Sequence, residues 1–166
     1  MSPKLKRDTK QALEWIVGVL RKHQVPFQIS GGCAAKIYGS PRELNDIDIR
    51  IPEDCFEKIR ADVKPYIMYG PEHYIDRKWD LYLVTLDYAG QEIDIGGGNA
   101  KISTKNRDTW IDFSTDFSKA VNRTFLGLEV PVIPKKDLVA YKKLLDGDHQ
   151  QIDIQSIQAM ETTVII

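Results

Sequence analysis

Asp46-Ile47-Asp48-Ile49-Arg50-Ile51 alternates without a break, Ile47, Ile49 and Ile51 falling on one face and Asp46, Asp48 and Arg50 on the other. Successive side chains of a strand point to opposite sides, so the run predicts a strand with one face in the core. Pro52 stops it. Carboxylates at i and i+2 share a side and stand roughly 7 Å apart along the strand. At that spacing their repulsion is on the order of 2 kcal/mol for an effective dielectric near 20, and a cation between them reverses the sign. Oxygen-only donors suit magnesium, which takes one or two carboxylates together with water and substrate phosphates. Alone, Asp-x-Asp is more often the solvated face of a half-exposed strand. Its surroundings decide.

Upstream, Phe27-Gln28-Ile29 alternates like a short strand, Ser30-Gly31-Gly32 breaks it, and residues 33–38 are helix formers closed by Gly39. Backbone N–H groups at such a strand-turn-helix junction can receive a phosphate, which makes Ser30, Gly31 and Gly32 candidates for nucleotide binding. Downstream, residues 79–87 and 91–95 read as a hairpin around Tyr88-Ala89-Gly90. In the second arm, Glu92-Ile93-Asp94-Ile95 repeats the alternation with Asp94 on the polar side. If the two strands are neighbours, Asp46, Asp48 and Asp94 converge as a metal site. Gly96-Gly97-Gly98 then either opens the site to substrate or is a flexible strand exit.

The remaining segments complete a single domain over residues 1–166. Residues 8–22 place Leu13, Ile16, Val17 and Leu20 at helical spacing, and residues 53–66 do so with Phe56, Ile59 and Val63. Residues 99–120 read as a loop with short helical pieces. A small hairpin follows over 124–126 and 128–133, with Pro131 arguing for an edge position. Residues 136–145 form a helix stopped near Gly147, and a last helix covers 150–160.

A chain of 166 residues with 42% apolar and 28% charged residues can build one real core. Its net charge of −1 supplies no general field for DNA. Residues 1–7 are basic but lead into an amphipathic pattern, and no 18-residue apolar run occurs, so the expected location is the cytoplasm, with no membrane role. Cys33 and Cys55 form no Cys-x-x-Cys pair and are expected as free thiols, Cys33 as a small buried hydrophobe. His23, His73 and His149 are scattered and read as surface residues. Of Trp15, Trp79, Trp110, Tyr74 and Tyr82, any could line an acceptor pocket or fill the core. Trp79 is the foremost pocket candidate.

Gly31-Gly32, then Asp46-Ile47-Asp48, then Glu92-Ile93-Asp94 resembles the signature of the nucleotidyltransferases of the DNA polymerase beta superfamily. The likeness is greatest to the small lincosamide and aminoglycoside enzymes and to the minimal members of toxin-antitoxin loci. The resemblance implies an α/β nucleotidyltransferase fold, a short mixed sheet flanked by helices. It also implies a magnesium-dependent transferase, holding two Mg2+ ions, that moves a nucleoside monophosphate from an NTP such as ATP to an acceptor hydroxyl. That acceptor would be a small molecule such as an antibiotic, a protein or an RNA end. Asp46, Asp48 and Asp94 are the implied catalytic and metal residues. Arg42 and Lys143 are further implied nucleotide-binding residues; Arg42 lies where these proteins often carry an arginine, with Leu44 in place of a threonine or histidine. Lys143 matches a helix lysine and Asp153-Ile154 a later Asp-Ile pair, while Gly147, His149 and Gln150 replace Arg, Lys and Asp. The alternative reading is a catalytically inactive nucleotide-binding or toxin-antitoxin partner protein of the same fold; in either reading a partner protein or a homo-oligomer is a further expectation.

Overall fold

The computed structural model describes residues 6–104, 109–145 and 147–163. Residues 1–5 of the basic start and 105–108 of the expected loop lie outside them. Helix α1 (Thr9–Lys22) begins where Asp8 accepts a hydrogen bond from the Gln11 N–H at 3.0 Å, satisfying one free donor of the first turn. Its buried stripe is Ala12, Leu13, Ile16, Val17, Val19 and Leu20, the stripe its spacing predicts. Strand β1 (Gln28–Ser30) runs straight into α2 (Gly31–Ile37), so the expected glycine turn is the first residue pair of the helix itself.

Strand β2 (Asp46–Ile51) has the alternating burial read from its sequence. Ile47, Ile49 and Ile51 are at most 1% exposed, and each such burial contributes about 1.5–3 kcal/mol. The expected helix over 53–66 is shorter: α3 (Phe56–Val63) lies between two single 3-10 turns. Strand β3 (Ile67–Ile75) follows, then the hairpin of β4 (Trp79–Tyr88) and β5 (Gln91–Gly97). Ala89 and Gly90 between them both have positive φ, as a two-residue hairpin of primed type requires.

The segment 99–120 departs most from its reading as a loop. It contains β6 (Asn99–Ser103) and β7 (Trp110–Ser114), an antiparallel pair, before a 3-10 turn at Phe117–Lys119. Strands β8 (Val121–Phe125) and β9 (Leu128–Val132) form the expected second hairpin. Pro131 is not on an edge strand, because β9 also pairs with β1 through Ile29 and Val132. That contact is brief, and β8 takes the edge. Helices α4 (Lys135–Leu144) and α5 (Asp148–Thr163) close the chain and pack on α2.

Among the described residues the strands make one mixed nine-stranded sheet, larger than the short sheet expected. Its central pairing decides the site. β2 lies antiparallel to β1 and parallel to β5, with Asp46 opposite Glu92, Asp48 opposite Asp94, and Arg50 opposite Gly96. No described helix is long and apolar enough to cross a membrane.

Candidate active site

Registering β2 against β5 puts every polar-face residue of one strand beside its counterpart on the other. Carboxylate oxygens of Asp46, Glu92 and Asp94 lie within 4.8 Å of one another. Glu92 is the member that does not figure among the expected metal residues. The signal for it was present, since it precedes Asp94 by two and so shares its side of the strand. Asp48 stands beside this group, its carboxyl packed against the start of α2.

The electrostatics follow from this crowding. Burial pushes the Asp48 carboxyl well up, and Asp46 and then Asp94 push it further. Asp94 is pushed up to about 8 by burial first and then by its contact with Asp46, although the Thr85 hydroxyl donates to it at 2.8 Å and opposes the rise. An all-oxygen donor set that repels itself when ionised fits a hard divalent cation of the magnesium kind.

A pH dependence follows for the metal-free protein. Asp48 and Asp94 hold protons when folded that their unfolded forms release near the ordinary carboxylate value of 3.8. Between about pH 4 and pH 8 the folded state therefore binds more protons than the unfolded one, and stability falls as pH rises through that window. We expect metal-free protein to be less stable at pH 8.5 than at pH 6 by on the order of 2 kcal/mol, after allowance for partial exposure. Thermal melting with a chelator measures this, and magnesium should restore more stability at pH 8.5 than at pH 6. A flat profile would contradict the arrangement.

Gly31 has φ +59°, and a Cβ there would meet Asp48 Oδ2 at 2.2 Å. The glycine is thus required twice, by the backbone and by the carboxylate against it. Gly31→Val should cost about 2–4 kcal/mol of stability and displace Asp48. A variant as stable as the parent by chemical denaturation would show that the turn can relax. Gly32 meets nothing within 4 Å and, with Arg42, Leu44 and Asp46, lines a small hollow of about 40 Å³.

A larger cavity of about 430 Å³ opens on the other side of the carboxylates. Tyr69, Tyr74, Trp79, Tyr141, Leu81 and Leu83 wall it, and Ser30, Asp48, Arg50, Thr85, Glu92 and Asp94 also line it. Trp79 and Tyr74 occupy the pocket positions considered from sequence. Trp15 instead stacks on Tyr88, Tyr82 packs edge-on to Phe56, and Trp110 is exposed.

Of the remaining expected residues, Arg42 shares the small hollow with Gly32 and Asp46, and Lys143 does not. Arg42 donates to the buried Asp153 at 2.6 Å, and Ser40 donates to the same carboxylate at 2.5 Å. The lysine facing Asp153 is Lys142, at 2.8 Å, whereas Lys143 is exposed on α4 and outside both cavities. Cys33 is buried, and its thiol is pushed up by that burial and then by Asp48 and Asp46, so the helix start does not activate it. Both cysteines are free.

No protein-family profile matches the chain, and no curated protein does. Solved structures do. A Thermotoga maritima protein assigned as a nucleotidyltransferase aligns over 93% of this chain and 89% of its own, with a TM-score of 0.65 and 22% identity. The lincosamide antibiotic adenylyltransferase LnuA, solved with lincomycin, aligns over 93% and 99%, with a TM-score of 0.62 and 14% identity. The chain has the nucleotidyltransferase fold. ANT(2″)-Ia, solved with adenylyl-2″-tobramycin, shares it over 93% of this chain and 88% of its own, at a TM-score of 0.57 and 15% identity. In the nucleotidyltransferase fold of this chain, the paired β2 and β5 carry the acidic face.

Proposed function

We propose that the chain transfers a nucleoside monophosphate from an NTP to an acceptor hydroxyl. The observation that carries this reading is the convergence of Asp46, Glu92 and Asp94 within 4.8 Å, beside Asp48, with Asp48, Glu92 and Asp94 lining an aromatic-walled cavity. In the reaction the acceptor oxygen forms a bond to the α-phosphorus, the α–β bridging P–O bond breaks, and pyrophosphate leaves with its electron pair. Magnesium held by the carboxylates would supply the positive charge that offsets the triphosphate and eases ionisation of the acceptor. In this reading Asp46 is the shared ligand, a role supported by its contact with both Asp48 and Asp94.

In this reading Asp94, which accepts a hydrogen bond from Thr85, takes the acceptor's proton once a bound cation has ionised it. Ser30, Gly31 and Gly32 offer the phosphate side of the site, and the larger cavity offers room for a small acceptor. Arg42, tied to Asp153, holds the loop that leads into Asp46. Incubation of the full chain with α-labelled ATP, GTP, CTP or UTP, magnesium and a panel of hydroxyl compounds, a protein lysate and RNA tests the reading. Label transferred to one acceptor class, with pyrophosphate released in step, is the expected result. Nucleotide binding without transfer to any class would favour an inactive protein of the same fold.

A further inference from the structure

Arg50 lies on β2 two residues beyond Asp48, and the transfer chemistry makes no use of it. Its guanidinium carbon is 5.5 Å from the ring centroid of Trp79, a stacking distance. The seat exists because the residue paired with Arg50 on β5 is Gly96. A Cβ at Gly96 would lie 2.4 Å from Arg50 Nη1 and 2.9 Å from Leu81 Cδ1. This explains the first glycine of Gly96-Gly97-Gly98 as room for a side chain, not as a flexible exit. Tyr141 completes the surroundings, its phenol pushed up by burial and held back by Arg50.

Arg50 Nη1 is buried and has no hydrogen-bond partner, the single side-chain nitrogen or oxygen among the described residues in that state. Leaving a buried donor unpaired costs about 1–3 kcal/mol, and more when it is charged. A protein that seats the group over a glycine and stacks it on a tryptophan keeps it ready for a ligand.

We propose that Arg50 recognises the acceptor, binding an anionic oxygen group, carboxylate or phosphate, on a small hydroxyl compound whose planar body lies against Trp79, Tyr69 and Tyr74. The guanidinium fork matches the geometry of those anions, and its place inside the cavity limits competition from water. Asp48, Glu92 and Asp94 line the same cavity, so above about pH 8, where Asp94 ionises, an anion is welcome there only once a divalent cation has offset their charge. A polycationic acceptor would meet the guanidinium as a like charge. The identification of the ligand as acceptor rests on the transfer reading; the anion site itself does not.

Four probes sharing a phenol ring test this by calorimetry on the full chain with magnesium, with and without a non-hydrolysable ATP analogue. They are 4-hydroxyphenylacetate, 4-hydroxybenzylphosphonate, neutral 4-hydroxyphenylethanol and cationic tyramine. At pH 8.5 the anionic probes should bind the parent at least about tenfold tighter than the other two, and only with magnesium present. Whichever anion binds tighter names the acceptor's group. Arg50→Gln should erase the preference and Arg50→Lys should keep part of it, with nucleotide affinity within about twofold of the parent in both. Gly96→Ala, which fills the seat, should also weaken the anionic probes. If melting shows Arg50→Gln unfolded, Arg50→Lys and Gly96→Ala carry the test.

A parent without the preference, or a preference that survives in a folded Arg50→Gln or is undiminished in both other variants, overturns the proposal. So does a loss of nucleotide affinity as large as the loss of probe affinity, which would assign Arg50 to the nucleotide. A parent that prefers anions but binds no nucleotide overturns the transfer reading and leaves the anion site standing.

Discussion

Asp46→Asn should lower turnover by on the order of a thousandfold, about 4 kcal/mol of barrier, and weaken magnesium-nucleotide binding with it. Asp46 belongs to the trio within 4.8 Å, and it also raises the carboxyls of both Asp48 and Asp94. Asparagine keeps the shape and removes the charge that all of these relations share. Without metal, the variant should be at least as stable as the parent, because repulsion is relieved. Asp94→Asn offers the contrast. If its work is mainly proton transfer and transition-state charge, turnover should fall about a hundredfold while nucleotide affinity stays within a few-fold. Initial rates and binding measured on the same preparations separate the two. Equal losses of binding in both variants would make Asp94 a ground-state ligand.

Asp153→Ala should cost about 3–5 kcal/mol of folding stability, because it strands a buried cation. The Asp153 side chain is 1% exposed and that of Lys142 is 3% exposed, and the two meet at 2.8 Å. Burial alone would raise the Asp153 carboxyl, yet Lys142, Ser40 and Arg42 hold it below the usual carboxylate value. The Gln150 side chain accepts a further bond from Lys142 at 3.0 Å, so α4, α5 and the chain leading into β2 meet at this cluster. Chemical denaturation measures the loss. Lys142→Met together with Asp153→Leu should recover much of it, since an apolar pair leaves no stranded charge. A single variant that unfolds with the parent's midpoint would mean that water reaches Lys142.

The central strand pair was legible from sequence because isoleucine and aspartate separate cleanly at a period of two, in both Asp46–Ile51 and Gln91–Gly97. The parallel register that sets Asp48 against Asp94 is a tertiary fact that no local pattern encodes. Strands β6 and β7 are harder to read because each is only five residues long and offers just two alternating apolar residues, Ala100 and Ile102 in one and Ile111 and Phe113 in the other. Pro131 misled because a proline only requires that its own N–H be spared, and a strand with one brief partner meets that need. Lys142 and Lys143 are adjacent in sequence, and only helix phase against Asp153 tells the buried one from the exposed one. Arg50 was visible on the polar face of β2, but its unpaired nitrogen depends on Gly96, Trp79 and Tyr141 from three other elements.

The claim at the centre of this account is that the acidic face of β2 and β5 binds a nucleotide through a divalent cation. Calorimetric titration of ATP into the parent, Asp46→Asn and Asp48→Asn, each with magnesium and with chelator, tests it most directly. The account predicts magnesium-dependent binding to the parent and at least about tenfold weaker binding to Asp46→Asn, all three proteins having first been shown folded by melting. Equal ATP affinity in parent and both variants, or binding to the parent that chelator leaves unchanged, would contradict it.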